Sequence, residues 1–104
     1  MQFDYLIIGA GSAGCVLANR LTNNSQNKVA LFEAGSSSDI WKVKMPLALL
    51  YTMHDPKYNW KYYSEPEPHL NNRRLFCPRG KMIGGSSAHN GMVFVRGNRN
   101  DYER

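Results

Sequence analysis

Six residues near the N-terminus have the composition and spacing of a phosphate-binding turn. Residues 9–14 read Gly-Ala-Gly-Ser-Ala-Gly, which is a G-x-G-x-x-G sequence. Gly9 permits a tight turn, Gly11 lets the backbone approach a pyrophosphate, and Gly14 lets the following helix pack against the preceding strand. The N-terminus of that helix then presents unpaired N–H groups and a positive dipole end to the phosphates.

An acidic residue follows at the distance that dinucleotide binding requires. Glu33 lies 24 positions after Gly9 (33 − 9) and directly follows an apolar run. A carboxylate at the end of the second strand accepts hydrogen bonds from a ribose hydroxyl. Its charge repels a 2′-phosphate, so NADP is not expected. The alternative is a glycine turn without function and a solvated glutamate.

These residues require a strand–helix–strand unit to hold them. The apolar, β-branched run at residues 3–8 predicts a buried strand, and residues 28–32 predict a second one. Apolar residues between them recur at helical spacing and predict a helix that runs to about Thr22. The two strands should be parallel with a right-handed crossover. We therefore expect an α/β fold, Rossmann-like and of the FAD/NAD(P)-binding type, present in incomplete form.

The middle of the chain is irregular. Five prolines interrupt residues 36–78, and only residues 46–53 predict a short helix. Trp60, Tyr62 and Tyr63 alternate around Lys61, as in a short strand or an ordered loop. A long irregular segment is typical of a functional loop or an incomplete fold. We expect this segment to wrap around a bound cofactor.

A second glycine-rich cluster occupies residues 79–92, and a short apolar run follows at residues 93–95. Gly84 and Gly85 let the backbone come close to a ligand, whereas Ser86, Ser87 and Asn90 offer hydrogen-bond donors to anionic or carbonyl oxygens. For Ser87 and Arg79, a solvated loop position is the alternative interpretation.

Composition limits the remaining classes. The chain has 104 residues, 42% of them hydrophobic and 20% charged, which fits at most one globular domain rather than a disordered or collagen-like chain. The net charge is +5, but the basic residues are scattered along the chain and match no nucleic-acid recognition module, so nucleic acid is not an expected partner. No apolar run approaches the roughly 18 residues of a transmembrane helix. The two cysteines, Cys15 and Cys77, form neither a metal cluster nor a disulfide framework.

The N-terminus predicts the compartment. No basic segment followed by an apolar core and a cleavage site precedes the first strand, so no secretory signal is expected. We therefore expect a cytoplasmic protein with reduced thiols, and we leave peripheral membrane association and the oligomeric state open. Because a single strand–helix–strand unit cannot bury both faces of its sheet, residues 1–104 are expected to be part of a longer protein.

The two motifs together resemble one family. FDYLIIGAGSAGCVLANRL followed by VALFEAG resembles the N-terminal flavin-binding unit of the glucose–methanol–choline (GMC) oxidoreductases. PRGKMIGGSSAHNGMVFVRGNRNDYE resembles that family's first characteristic segment. MPLALL and NWKYYSEPEP resemble its alcohol and choline dehydrogenase branch.

The resemblance implies an FAD-dependent enzyme that oxidises the CH–OH group of a small-molecule alcohol by hydride transfer to the flavin. It implies that residues 1–104 form the N-terminal part of the FAD-binding domain and lack the substrate domain. The residues that it assigns to the cofactor, together with those of the first motif, are Gly9, Gly11, Ser12, Ala13, Gly14, Glu33, Ala34, Trp60, Gly80, Ser86, His89, Asn90, Gly91, Met92 and Val93. For Trp60, an ordinary core aromatic is the alternative.

Histidines of this chain do not match the family's catalytic base, which lies near the far C-terminus. His54 and His69 are expected at the surface, so no catalytic residue and no metal ligand is assigned. His89 occupies a slot that is aliphatic in most members. In some members a histidine at this spacing is bonded covalently to the 8α-methyl of FAD, and packing beneath the flavin is the alternative.

Two other classes stay open at this point. An NAD-dependent dehydrogenase would share the first motif but has no counterpart of the second glycine cluster. A non-catalytic nucleotide-binding module would be complete at this length.

Overall fold

The computed structural model describes residues 2–103. Strand β1 (Tyr5–Ile8) and strand β2 (Val29–Phe32) form a two-stranded parallel sheet with the register Tyr5↔Val29 to Ile8↔Phe32. Helix α1 (Ser12–Thr22) connects them. The predicted strand–helix–strand unit and its parallel pairing are therefore confirmed.

Local chemistry sets the ends of α1. The helix begins at Ser12 after Gly11, whose backbone is extended and whose missing side chain provides no cap. At the other end, the Asn27 side chain donates to the carbonyl of Leu21 over 2.8 Å, which satisfies one of the carbonyls that every helix end leaves free. Arg20 in the last turn adds a positive charge next to the negative end of the helix dipole.

The middle segment contains more regular structure than its sequence predicts. Helix α2 (Trp41–Lys44) has only four residues and was not predicted. The helix expected over residues 46–53 divides into a 3-10 turn at Pro46–Ala48 and helix α3 (Leu49–His54). Pro46 stands in the first turn, where its fixed φ suits the start of a helix and its missing N–H breaks no intrahelical hydrogen bond.

A small antiparallel sheet follows. Strand β3 (Tyr62–Tyr63) pairs with strand β4 (Phe76–Cys77). Lys61 has a positive φ of 55°, so Trp60 does not continue the strand. Further 3-10 turns cover Pro68–Leu70, Gly85–His89 and Arg99–Asp101. The apolar run at residues 93–95 forms no regular element, and its side chains are exposed.

The buried core combines residues of the first unit, the irregular segment and the second glycine cluster. Its apolar members are Ile7, Ala10, Ala48, Tyr58 and Met82, and its buried polar members are Thr52 and Asn59. By contrast, Leu6 and Ile8 in β1 are 63% and 82% exposed. The sheet therefore leaves much of its apolar surface uncovered within residues 2–103, including Ile8 directly before the glycine turn.

Candidate functional site

The two glycine-rich motifs lie against each other, although some 70 positions separate them along the chain. The Gly84 N–H donates to the Ala10 carbonyl over 2.7 Å. A Cβ built on Gly85, which has a φ of +57°, would approach the Cα of Gly11 to 2.9 Å. Only glycine fits that contact, because both the left-handed backbone and the short distance oppose a side chain.

A second close contact sets the first motif. A Cβ on Gly14 would lie 1.9 Å from the carbonyl oxygen of Gly9, so the helix approaches the turn as closely as a backbone can. Gly11 differs, because a Cβ there would have no protein atom within 4 Å. The close packing predicted for Gly14 agrees with the 1.9 Å distance, and the approach of a pyrophosphate to Gly11 stays a prediction.

The N-terminus of α1 is left free for an anion. Gly11 provides no capping side chain, and the first turn contains no acidic residue. Within residues 2–103, the N–H groups of Ser12 and Ala13 form no hydrogen bond. Such a helix end has unpaired donors and a positive dipole end, which together favour a phosphate.

Glu33 connects the glycine turn to the loop after β2. Its Oε2 accepts from the Ala10 N–H over 2.7 Å, and its Oε1 accepts from the Gly35 N–H over 2.9 Å. A carboxylate has about four acceptor positions, so each oxygen still has room for a hydroxyl donor. The residue therefore has a structural role that the sequence did not predict, in addition to the expected place beside a ribose.

An open cleft of about 790 Å³ brings most of these residues together, and we call it the main cleft. Its lining combines the first turn, the end of β2, the aromatic segment and the second glycine cluster. The lining residues are Ile8, Gly9, Gly11, Ser12, Phe32, Glu33, Ala34, Trp60, Gly80, Gly85 and Ser86.

A smaller cleft of about 450 Å³, called the side cleft, shares Ser86 with the main cleft. Its lining residues are Leu49, Met53, Pro78, Arg79, Ser86, His89, Asn90 and Gly91. Because Ser86 borders both spaces, the two clefts meet at this one residue of the second glycine cluster.

The predicted site residues divide among these spaces. Eight of them line the main cleft, namely Gly9, Gly11, Ser12, Glu33, Ala34, Trp60, Gly80 and Ser86. Ala13 and Gly14 line the groove along the edge of β1, and His89, Asn90 and Gly91 line the side cleft. Met92 borders only a small cavity of about 10 Å³ beside His89, whereas Val93 lines none of these spaces and is 79% exposed.

Sequence reasoning missed several lining residues. Ile8 and Phe32 were treated as strand residues only, yet both end a strand at the mouth of the main cleft. Their position directly before Gly9 and Glu33 is the signal that could have identified them. Leu49, Met53 and Pro78 carried no such signal, because long-range packing alone brings them to the side cleft.

His89 has an unusual environment. Its Nδ1 is buried and has no hydrogen-bond partner within residues 2–103. Desolvation by burial lowers the pKa of His89 below its ordinary value of 6.5. The imidazole is therefore neutral at neutral pH, and the residue lines the side cleft. His54 and His69 are both exposed, as expected.

Other kinds of site are not found in the part of the chain that the structure describes. Residues 2–103 contain no group of three His, Cys, Asp or Glu side chains placed to hold a metal ion. No helix in this range has the length and apolar character that crossing a membrane requires. Cys15 and Cys77 are free thiols.

Comparison with known proteins gives consistent matches along the chain. The sequence model of the GMC oxidoreductase family matches residues 3–104. An oxygen-dependent choline dehydrogenase of Sinorhizobium fredii is 56% identical over 104 residues, which cover 100% of this chain and 19% of that protein. The enzyme of the same name from Vibrio vulnificus is 52% identical over 102 residues, covering 98% of this chain and 18% of that protein.

Solved structures share the fold. The crystal structure of pyridoxine 4-oxidase from Mesorbium loti superposes with a TM-score of 0.83 at 33% identity, covering 98% of this chain and 20% of that one. A formate oxidase superposes with a TM-score of 0.79 at 32% identity, covering 94% of this chain and 18% of that one. This chain therefore spans about a fifth of the length of the proteins that it matches.

Proposed function

The chain belongs to the GMC oxidoreductase family, and we propose on that basis that residues 1–104 form the N-terminal part of an FAD-binding domain. The whole protein is proposed to oxidise the CH–OH group of a small-molecule alcohol by hydride transfer to FAD. The observation that carries the proposal is the contact between the two glycine-rich motifs, which joins the free N-terminus of α1 to the second cluster.

The residues present fit FAD. The open backbone at Gly11 and the unpaired N–H groups of Ser12 and Ala13 suit the pyrophosphate. Glu33, with room for further donors, suits the adenosine ribose. Trp60 gives the main cleft an aromatic wall.

The second cluster supplies the other contacts. Gly80 and Ser86 are proposed to lie along the pyrophosphate and the ribityl chain. Residues 89–93 are proposed to follow toward the flavin ring. His89, Asn90 and Gly91 already line the side cleft, whereas Met92 and Val93 would need the remaining protein or the cofactor to bring them in.

Bound FAD would supply the hydride acceptor, and this chain's residues would bind and orient it. Ser86 lies between the two clefts and donates no side-chain bond to protein in residues 2–103; its Oγ accepts from the Gly80 N–H over 3.0 Å. The hydroxyl proton is therefore available to a ligand oxygen in either cleft. The group that takes the alcohol's proton is proposed to lie outside residues 1–104.

Reduction by substrate tests the proposed function. The full-length protein, purified with its cofactor, is mixed anaerobically with choline or with a simple primary alcohol. We expect the flavin absorbance to bleach with choline, because the curated relatives cited above are choline dehydrogenases by name. Hydride transfer to added NAD⁺ without a flavin would favour the dehydrogenase alternative, and binding without reduction by any alcohol would favour a non-catalytic module.

A covalent bond between His89 and FAD is a separate proposal. A neutral imidazole beside the side cleft is a competent nucleophile. The new C–N bond would replace one C–H bond of the 8α-methyl group, with the proton passing to solvent and the two electrons passing through the flavin to an external acceptor such as dioxygen. We expect acid-precipitated full-length protein to stay yellow and to show flavin on a denaturing gel, and His89→Ala to lose both properties. Quantitative release of free FAD into the supernatant would leave His89 as a packing residue.

Free Cys15 and Cys77 fit a reducing compartment, so we propose the cytoplasm.

A further inference from the structure

Lys81 lies over the aromatic wall of the main cleft. Its Nζ is 4.7 Å from the centroid of the Trp60 ring, within the range of a cation–π interaction. Trp60 lines the main cleft, is 42% exposed and stacks with Tyr62, with centroids 6.0 Å apart and planes 3° from parallel. Within residues 2–103, Lys81 forms no salt bridge, so the ring is the partner that holds its charge.

The backbone fixes the relation between these two side chains. The Trp60 N–H donates to the Arg79 carbonyl over 2.9 Å, and the Lys81 N–H donates to the Tyr58 carbonyl over 2.8 Å. Between them lies Asn59, which is 2% exposed and whose Oδ1 accepts from the Arg79 N–H over 3.0 Å. These hydrogen bonds fix the backbone of Trp60 relative to that of Lys81, and so keep the Lys81 side chain beside the Trp60 ring.

We propose that Lys81 is a positioning residue, which holds the Trp60 ring against the main cleft and thereby orders the wall that FAD contacts. The cofactor part of this inference rests on the proposed function. An indole that lines an open cleft can turn about its side-chain bonds, and the Lys81 cation restricts that rotation together with the stacked Tyr62 ring. The alternatives are a lysine that contacts a ligand phosphate directly and a lysine that is simply solvated.

A double-mutant cycle in the full-length protein separates these possibilities. The variants are Lys81→Met, Trp60→Leu and the two combined, and FAD dissociation constants are measured for each. We expect Lys81→Met to weaken FAD binding about three- to tenfold, the range of one cation–π contact. The same substitution should have no effect when Trp60 is already leucine, because a residue that acts through Trp60 cannot act without it. Lys81→Arg should restore wild-type binding.

Lys57 provides a matched control. Its Nζ lies 5.3 Å from the Tyr58 ring centroid, which is a similar contact whose residues do not line the main cleft. Lys57→Met should leave FAD binding unchanged. Equal effects of Lys81→Met with and without Trp60 would overturn the inference, because Lys81 would then act on the ligand by itself. No effect of Lys81→Met in either background would also overturn it.

A second readout does not depend on FAD. In protein labelled with 5-fluorotryptophan, the ¹⁹F resonance that disappears in Trp60→Phe belongs to Trp60. In the apoprotein we expect Lys81→Met to shift and broaden it, and Lys81→Arg and Lys57→Met to leave it in place. An unchanged resonance in Lys81→Met would refute the positioning role even if FAD binds as proposed. Absence of FAD binding to the wild type would refute the proposed function and leave this spectrum to decide the role of Lys81.

Discussion

Replacing Glu33 by alanine should weaken both the fold and cofactor binding. The Glu33 carboxylate accepts from the Ala10 N–H over 2.7 Å and from the Gly35 N–H over 2.9 Å, and so joins the glycine turn to the loop after β2. Each hydrogen bond to a charged group contributes about 1.5–3 kcal/mol. The two together give about 3–6 kcal/mol, and because Glu33 is half-buried, water replaces part of this loss. We expect the free energy of unfolding to fall by about 2–4 kcal/mol.

The affinity for FAD should fall in Glu33→Ala as a second effect, separate from the loss of stability. Loss of a charged hydrogen bond to the ribose should weaken FAD binding by about 1–3 kcal/mol, so the FAD dissociation constant should rise about 5- to 150-fold. Glu33→Gln should lie between the wild type and Glu33→Ala. Its amide keeps one acceptor oxygen but presents an NH₂ group to the other N–H donor.

Urea unfolding of the full-length apoprotein and FAD titration are the two assays. Glu65→Ala is the control, since Glu65 is exposed and its carboxylate makes no hydrogen bond or salt bridge within residues 2–103. Wild-type stability in Glu33→Ala would refute the structural role of the carboxylate. Wild-type FAD affinity would refute its place beside the ribose.

Gly14→Ala should destabilise the full-length protein by about 1–3 kcal/mol or more, as overpacking does, because its Cβ would meet the Gly9 carbonyl at 1.9 Å. Gly11→Ala should leave thermal stability unchanged and weaken FAD binding, because its Cβ would have no protein atom within 4 Å. Equal melting temperatures of the two variants would contradict this prediction. Because burial lowers the pKa of His89, the unfolded chain takes up a proton at a higher pH than the folded one, and stability should decrease as the pH falls from 6.5 toward the folded pKa. His89→Gln should flatten this pH dependence of the unfolding free energy, measured by urea titration across the same range. An unchanged slope would exclude His89 as its source. Residues 1–104 expressed alone should melt without cooperativity and bind FAD weakly, because the apolar face of β1 stays exposed; a cooperative melt with micromolar FAD affinity would refute the expectation of an incomplete domain.

The strand–helix–strand unit could be predicted because its information is local. Apolar runs of the right length, a glycine turn between them and a helical period after the turn all lie within 33 residues. The observed β1, α1 and β2 differ from the expected bounds by only one or two residues at most ends. The roles of Gly11 and Gly14 also followed from the motif itself, since its spacing reflects backbone geometry.

The assembly of the clefts could not be predicted from composition or spacing. The hydrogen bond from Gly84 to Ala10 and the bridge between Ser36 and Met82 join segments far apart in sequence. Likewise α2, with four residues, is too short to show a helical period. The second hydrogen-bonding role of Glu33 appears only when the glycine turn and the loop after β2 lie on either side of it.

A crystal structure of the full-length protein with its cofactor tests the central claim most directly. The account predicts FAD in the two clefts, with its pyrophosphate at the N–H groups of Ser12 and Ala13, its adenosine ribose on Glu33, and its flavin ring beyond Ser86 toward His89. A pyridine nucleotide in the main cleft, or a flavin bound away from the contact between Gly11 and Gly85, would contradict it.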